Sequence, residues 1–314
     1  MNVFILGLAF IILTPTVYAS PAPPADPAIT YIQLGTSAKL MVMNADGSNK
    51  AVIYSFTPTC YVGGYPSWSP DGKSIAFYNG CDFVDGQYGN TLWRIDVSVV
   101  NGVPQGSSAR RLADRYACGS CYQPAWSPTG DVIAVGGGTT ATTTYGTSAI
   151  HIVDANTGAS QMFYTAQVPG SNVLSSAWSS DGQRLAVVEP AGPGGPLSIT
   201  IVDRATGTPL TTLVQAVFSS IVFIDWARQG LGKLAVAGTL AGTGTRDIYT
   251  IDIASNAVTR IVAGNDLAWS PDNTKLVFST VGTPSPKIRT VELATGTLVT
   301  LHNGGGAFPD WRRL

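Results

Sequence analysis

The sequence repeats one short pattern in which two strand-forming segments flank a tight turn. Its clearest copy runs from Pro66 to Phe77 and reads PSWSPDGKSIAF. The flanks are apolar or aromatic with small neighbours, which favours strands buried between sheets. Between them, Pro70 presets φ for a type I turn and Gly72 supplies the left-handed residue that closes a three-residue loop. The pattern therefore predicts a β-hairpin.

Further copies of this hairpin recur along most of the chain. They span residues 124–135, 176–187, 224–236 and 267–278, with a half copy at 308–311. The tryptophans that mark them are 58, 52, 48, 43 and 42 residues apart: Trp68, Trp126, Trp178, Trp226, Trp269 and Trp311. Repeats of this length are typical of the blades of a β-propeller.

A second recurring segment is an apolar strand that ends in an acid or an amide and is followed by a turn. It also occurs six times, ending at Asn44, Asp96, Asp154, Asp203, Asp252 and Glu292. Together, the tryptophan hairpins and these strands predict an all-β chain with six blades. Side chains at these strand ends, including Glu292, are interpreted as structural.

The two ends of the chain complement each other. Strands predicted at 30–33 and 39–44 have no tryptophan strand before them, whereas 308–314 has a tryptophan strand with nothing after it. We therefore predict a six-bladed β-propeller over residues 29–314, closed by pairing of the N-terminal strands with the C-terminal Trp311 strand. Such pairing removes the open sheet edges that promote aggregation.

The first residues indicate export. An apolar run from Val3 to Leu13 precedes Val17-Tyr18-Ala19, which has small residues where a signal peptidase reads, although no Lys or Arg precedes the run. Residues 1–19 are predicted to be a signal peptide and 20–28 a proline-rich spacer. The apolar run is shorter than the about 20 residues that cross a bilayer. We expect a periplasmic or secreted protein without membrane insertion after removal of the leader.

Composition excludes several classes of partner. Charged residues make up 12% of the chain and the net charge is -1. Basic residues form no run beyond the pairs Arg110-Arg111 and Arg312-Arg313. Nucleic acid and anionic membrane surfaces are therefore not expected as partners. We expect a monomer.

The WSPDG hairpins, together with the segment LMVMNADGS at 40–48, resemble the TolB-like, PD40-repeat six-bladed β-propellers. The resemblance covers nearly the whole chain after the leader. It implies the propeller fold, but not one function, because such repeats occur in periplasmic assembly factors and in the propeller domains of peptidases. We expect the propeller alone, without the additional α/β domain that TolB carries. A G-x-S-x-G nucleophile motif, which the peptidase relatives carry, does not occur in the sequence.

All four cysteines fall on predicted loops near Trp68 and Trp126: Cys60, Cys81, Cys118 and Cys121. In an exported protein an even number of cysteines predicts disulfides. The simplest of the three possible pairings joins Cys60 to Cys81 and Cys118 to Cys121. A redox site at Cys118-Gly119-Ser120-Cys121 and a zinc site remain open as alternatives.

The same loops are rich in aromatic residues. In the usual propeller geometry, one face carries the loops that enter each tryptophan strand and those that link the second and third strands of each blade; we call it the upper face. Rigid aromatic side chains there are suited to recognition. The candidate partner-binding residues are Tyr61, Tyr65, Phe83, Tyr88, Tyr116 and Tyr122. Packing of long loops over the sheets is the alternative, and is preferred for Tyr78.

Three aspartates form the second candidate cluster. Asp225, Asp266 and Asp310 lie at or just before the start of the tryptophan strand in three consecutive blades. Their carboxylates are predicted to meet at the upper mouth of the central channel, with His302 on the same rim. They could bind a cation, a basic side chain or an amine. Alternatively, they accept hydrogen bonds from water and from backbone amides where the strands begin.

These features favour a non-enzymatic binding platform for a protein or peptide. No catalytic residue, metal or cofactor is predicted. Two alternatives stay open: a carbohydrate-binding propeller whose tyrosines stack on sugars, and a metal-dependent hydrolase or lyase that uses the channel-mouth aspartates.

Overall fold

The computed structural model describes residues 27–57, 64–84, 87–114, 122–137, 149–169, 171–192, 194–282 and 285–313. Within these ranges, side chains are described except at 81–89, 122 and 216. The predicted signal peptide and all but the last two residues of the predicted spacer lie outside the described residues. In the described part of the chain all regular structure is β-strand. The same residues include no helix long and apolar enough to cross a membrane.

The described residues form 23 strands. In chain order they are β1 (Ile29–Gln33), β2 (Lys39–Met43), β3 (Ala51–Ser55), β4 (Gly64–Trp68), β5 (Ser74–Val84), β6 (Gln87–Val100), β7 (Val103–Ala113), β8 (Tyr122–Trp126), β9 (Val132–Gly137), β10 (Ala149–Asp154), β11 (Ser160–Thr165), β12 (Ser175–Trp178), β13 (Arg184–Pro190), β14 (Leu197–Asp203), β15 (Pro209–Trp226), β16 (Lys233–Leu240), β17 (Asp247–Asp252), β18 (Val258–Ala263), β19 (Leu267–Trp269), β20 (Lys275–Ser279), β21 (Lys287–Glu292), β22 (Leu298–Asn303) and β23 (Gly306–Trp311).

Neighbouring strands pair antiparallel in five sheets. Three four-stranded sheets follow chain order, from β4 to β7, β8 to β11 and β19 to β22. A seven-stranded sheet runs from β12 to β18, because β15 continues from the outer edge of one four-strand unit into the first strand of the next. The remaining sheet has the order β23-β1-β2-β3 and so contains both ends of the described chain. In it, Ile29 pairs with Trp311 and Thr30 with Asp310.

The predicted hairpin turns are present with the expected chemistry. Ser69 donates its backbone N–H to Ser74 O, and Gly72 has φ 67° and donates to Ser69 O. The Asp71 carboxylate accepts hydrogen bonds from Ser69 Oγ at 2.6 Å and Lys73 N at 3.1 Å, which lowers its pKa despite partial burial. Equivalent backbone bonds close the turns that begin at Ser127, Ser179 and Ser270.

The strand-end acids also have the predicted structural role. Asp154 Oδ1 accepts hydrogen bonds from Thr157 N at 2.7 Å and Asn156 N at 3.0 Å. Asp203 and Asp252 accept the corresponding turn amides in their own repeats. A carboxylate that receives such bonds stabilises the turn leading to the outer strand.

The six repeated tryptophans lie in the core between neighbouring sheets. All six are buried: Trp68, Trp126, Trp178, Trp226, Trp269 and Trp311. Trp68, for example, packs in one cluster with Leu40 and Val42 of β2 and with Ile75 and Phe77 of β5. Apolar contacts of this kind join each sheet to the next, so that burial of the repeated tryptophan stabilises contacts between sheets as well as within them.

Candidate functional site

Six strands that each end in or contain a repeated tryptophan converge on one axis. We call β4, β8, β12, β19, β23 and the last part of β15 the inner strands. Residues of all six line a single small cavity of about 40 Å³: Tyr65, Pro66, Ser67, Gln123, Pro124, Ala125, Ser175, Ser176, Ala177, Phe223, Ile224, Asp225, Leu267, Asp310 and Arg313. The sequence repeat therefore brings equivalent positions from across the chain to one place.

Three aromatic side chains, which we call the aromatic cluster, lie at the end of this cavity where the inner strands begin. The rings of Tyr65 and Phe308 are 4.3 Å apart between centroids, and those of Tyr65 and Phe223 are 6.1 Å apart and nearly parallel. Each belongs to the position three residues before a tryptophan. Gly64 allows this packing, because a Cβ there would lie 3.1 Å from the Phe308 ring.

The backbone beneath the cluster is strained. Tyr65, Gln123 and Phe308 have φ of 54°, 46° and 52°, in the left-handed region that L-residues rarely adopt. All three occupy the position three residues before a tryptophan, each precedes a proline, and each lies at a register shift in its sheet. Bulges of this kind redirect side chains, and such strain costs about 1–3 kcal/mol per residue.

The strained Gln123 links strands across the cavity. Its Nε2 donates a hydrogen bond to Val222 O of β15 at 3.2 Å. With the aromatic cluster, this contact narrows the end of the cavity that corresponds to the upper face. The residues with left-handed backbone are therefore also the residues whose contacts narrow this end of the cavity, which we call the channel entrance.

Asp225 follows Phe223 by two residues on β15, and both of its carboxylate oxygens accept hydrogen bonds. Its Oδ2 accepts from Trp269 N at 2.9 Å, while its Oδ1 accepts from Trp226 N and from Arg228 Nη1, both at 2.9 Å. Arg313 Nη2 lies 3.8 Å from Oδ1. The carboxylate thus joins two inner strands and two guanidinium groups.

Asp310 and Ser67 repeat the relationship between Asp225 and Trp269. Asp310 Oδ2 accepts from Trp68 N at 2.7 Å, and Ser67 Oγ accepts from Trp126 N at 3.0 Å. In each case the side chain directly before one tryptophan accepts the amide of the tryptophan in the next repeat. These contacts connect neighbouring inner strands that are not paired with each other in a sheet.

Asp266, which directly precedes β19, also accepts a backbone amide from another inner strand. It is only 3% exposed, and its Oδ2 accepts from Ser279 Oγ at 2.8 Å and from Phe308 N at 3.1 Å. Burial raises the pKa of Asp266 above the ordinary range, although these hydrogen bonds oppose the shift. Its carboxyl group therefore holds the backbone of the aromatic cluster.

Four ionisable side chains form a compact group that we call the charged cluster: Asp225, Arg228, Asp310 and Arg313. Burial raises the pKa of Asp310 to about 6, opposed by the positive charge of Arg228 and reinforced by Asp225. Burial, together with Arg228, lowers the pKa of Arg313 to about 10. Removal from water thus dominates over attraction between these groups.

His302 lies near the end of β22, away from the described residues that line the cavity. Its Nδ1 is 3.4 Å from Tyr31 Oη and its Nε2 is 3.1 Å from Gly304 O. Burial lowers the pKa of His302, which favours the neutral ring. The structure thus brings two of the three predicted aspartates together in the charged cluster, and places Asp266 and His302 in contacts of their own.

The remaining predicted site residues are not described at the level of side chains. Tyr61, Tyr116, Cys60, Cys118 and Cys121 lie outside the described residues. Cys81 and Phe83 lie on β5, Tyr88 on β6 and Tyr122 on β8, with side chains outside the description. Tyr78 is buried and donates to Asn90 Oδ1 at 2.7 Å, as expected for a packing residue. The described residues contain no group of three or more His, Cys, Asp and Glu that could hold a metal ion.

Sequence reasoning missed several cavity residues. Phe223, Phe308 and Gln123 share the position of Tyr65 in the repeat, and counting back three residues from each tryptophan would have found them. A proline two residues before Trp68, Trp126 and Trp311 marks the same layer. Arg228 and Arg313 each follow a repeated tryptophan by two residues, at positions normally occupied by the turn.

Comparison with solved structures identifies the fold. TolB from Acinetobacter baumannii is 16% identical, with a TM-score of 0.71 over 93% of this chain and 68% of that chain. A TolB-type protein from Agrobacterium tumefaciens is 18% identical, with a TM-score of 0.62 over 90% of this chain and 92% of that chain. A chain of a nidogen–laminin complex is 9% identical, with a TM-score of 0.64 over 90% of this chain and 97% of that chain.

No protein-family model matches the sequence, and a search of curated proteins finds no match. At these identities the structural similarity shows the fold alone. The chain has the β-propeller fold of the TolB structures, as the WSPDG hairpins predict.

Proposed function

We propose that the protein is an exported six-bladed β-propeller that binds a protein or peptide at its upper face. Residues 1–19 serve as the signal peptide, 20–28 as the spacer and 29–314 as the propeller. The sheet orders support six blades if the seven-stranded sheet counts as two, which share β15. Pairing of β1 with β23 supports closure of the ring.

The aromatic cluster carries the proposal. Tyr65, Phe223 and Phe308 come from three different blades and meet at the channel entrance, with two of them on strained backbone. Strain of this kind is concentrated at ligand-binding positions, and aromatic residues dominate the energetics of protein recognition. An apolar side chain of the partner would pack against the cluster.

Polar groups around the cluster would orient the partner. Gln123 reaches across the entrance, and Asp225, Asp266 and Asp310 hold the surrounding backbone. His302, which lies outside the cavity lining, would contact the partner further out. The proposed contact surface extends over the neighbouring loops through Tyr61, Phe83, Tyr88, Tyr116 and Tyr122. The nidogen–laminin structure is an example of a chain of similar fold in a complex between proteins.

Affinity capture from the native envelope or culture fluid tests the proposal. The baits are the protein without residues 1–19, its Tyr65→Ser variant, and a Met162→Ser control, which removes an apolar side chain 53% exposed on outer strand β11. A protein retained by the wild type and the control, but lost by Tyr65→Ser, supports binding at the entrance. Retention of the same proteins by all three baits, or of none, contradicts it, and glycan binding would then favour the carbohydrate alternative.

A further inference from the structure

A second cavity lies at the opposite end of the channel from the aromatic cluster. It has a volume of about 450 Å³ and is bordered by residues of the turns after the inner strands: Pro70, Pro128, Ser180, Asp181, Arg228, Gln229 and Arg313. We call it the lower cavity. Its size falls within the about 300–1,000 Å³ typical of small-molecule sites. Arg313 also lines the small central cavity, so it borders both the central and the lower cavity.

Arg228, which lines the lower cavity, has a buried pair of unused donors. The residue is 4% exposed, and its Nη1 donates to Asp225 Oδ1 at 2.9 Å and to Trp226 O at 2.8 Å. Its Nε and Nη2 have no hydrogen-bond partner within the described part of the chain. These two nitrogens form one edge of the guanidinium, the edge that binds a carboxylate or phosphate through two parallel hydrogen bonds.

Arg313 is similarly short of partners. Among the described residues, the carboxylate oxygen within 4 Å of it is Asp225 Oδ1, 3.8 Å from Nη2 and so beyond hydrogen-bond distance. Its Nη1 is buried without a partner among the described residues. A guanidinium removed from water without hydrogen bonds is costly, so both arginines favour an additional anionic partner.

The carboxylates already present are engaged elsewhere. Asp225 accepts the amides of Trp226 and Trp269 besides its bond to Arg228. Asp310 accepts the amide of Trp68. Asp181, at the solvent-exposed rim, accepts from Ser179 Oγ at 2.6 Å and Gln183 N at 3.0 Å. None of these contacts satisfies the Nε and Nη2 donors of Arg228.

We infer that the lower cavity binds a small oxyanion, of the carboxylate or phosphate class, through Arg228 and Arg313. The anion takes the Nε and Nη2 edge of Arg228 and a second set of hydrogen bonds from Arg313. Both nitrogens of that edge are shielded from solvent, so the anion reaches them only if a neighbouring side chain moves, and Arg313, which lines both cavities, is the side chain that we assign to this movement. Arg313 lies two residues after the end of β23 and is not held by strand pairing.

Calorimetric titration with sodium phosphate and with sodium acetate, each in a constant chloride background, tests this inference. We expect saturable binding of one ion per chain by the wild type. Arg313→Gln should weaken it at least tenfold, and Arg313→Lys should weaken it less because the charge remains without the planar fork. Arg246→Gln, which removes an exposed arginine elsewhere, should change it less than twofold. Preference for acetate or phosphate distinguishes a carboxylate ligand from a phosphate.

Two results would overturn the inference. One is the absence of saturable binding of either ion by the wild type at millimolar concentrations. The other is equal binding by wild type and Arg313→Gln, which identifies an adventitious ion only. If Arg313→Gln does not fold, Gln229→Glu replaces it, since a carboxylate on the cavity wall should weaken anion binding at least threefold; unchanged binding by this folded variant would also contradict the site.

Discussion

Asp225 Oδ2 accepts a hydrogen bond of 2.9 Å from the backbone amide of Trp269, although the two residues lie 44 positions apart. The same carboxylate binds Arg228 and the amide of Trp226. A single buried side chain therefore connects two inner strands to the charged cluster. Its acidic character has a structural reason that is independent of any ligand.

We predict that Asp225→Ala lowers the free energy of unfolding by about 3–5 kcal/mol, because it leaves Arg228 as a buried charge without its partner. Ser67→Ala, which removes the uncharged equivalent acceptor for Trp126 N, should cost only about 1 kcal/mol. Urea unfolding of the two variants and the wild type measures both values. A loss below about 1 kcal/mol for Asp225→Ala would contradict the role assigned to this carboxylate.

Stability should depend on pH through Asp310. Burial raises its pKa from 3.8 to about 6 in the folded state, so between these values the folded protein binds more protons than the unfolded chain. The contribution of Asp310 to the free energy of unfolding is therefore most favourable below about pH 4. It falls by at most about 3 kcal/mol as the pH rises through about 6. Asp310→Asn should be more stable than the wild type at about pH 8, with the difference disappearing near about pH 4.

Asp252→Asn serves as the control of opposite sign. Hydrogen bonds from the Ser255 amide and hydroxyl lower the pKa of Asp252, so its ionised form stabilises the fold above the pKa of the unfolded chain. This variant should be less stable than the wild type at about pH 8 and approach it in acid, once the unmodified carboxyl is protonated. Urea unfolding at several pH values measures both variants. If the two showed pH dependences of the same sign, the assignment for Asp310 would fail.

Two glycines in equivalent turns should respond differently to alanine. Gly158 and Gly296 have φ of 77° and 72°, so alanine at either position is strained by about 1–2 kcal/mol. A Cβ at Gly158 would also clash with Leu112 O, whereas nothing lies within 4 Å of one at Gly296. Gly158→Ala should therefore lower the free energy of unfolding by at least about 2 kcal/mol more than Gly296→Ala. Equal losses in thermal or urea unfolding would show that the end of strand β7, which carries Leu112, relaxes freely.

Relief of backbone strain should stabilise the protein at Gln229. This exposed residue has φ of 50° in the turn that follows Trp226. Gln229→Gly should raise the free energy of unfolding by about 1 kcal/mol, because glycine adopts this conformation without a Cβ clash. Gln229→Ala deletes nearly the same side chain and keeps the strain, so it should show no gain. A stabilisation shared by both variants would point to the side chain and not to the backbone.

The candidate site could be predicted from sequence only in part. The repeat places Asp225 and Asp310 at equivalent positions, and the structure brings them into one charged cluster with Arg228 and Arg313. Their use as acceptors for backbone amides was one of the two alternatives that the sequence left open. The aromatic cluster was predicted only through Tyr65; the position three residues before a tryptophan marks Phe223 and Phe308 as its equivalents, but only the packing of the sheets shows that Tyr65 contacts both rings.

The sequence by itself determined the hairpins and their repetition. The reason is local: Pro70, Asp71 and Gly72 set a turn whose dihedral angles depend on adjacent residues alone, and the alternating apolar flanks select strands. The tertiary structure decided which side chains share the central channel. That depends on the register of strands up to 282 positions apart, as between Ile29 and Trp311, and on bulges at Tyr65 and Phe308 that redirect their side chains. Such convergence arises from packing of whole sheets, so no short segment of the chain encodes it.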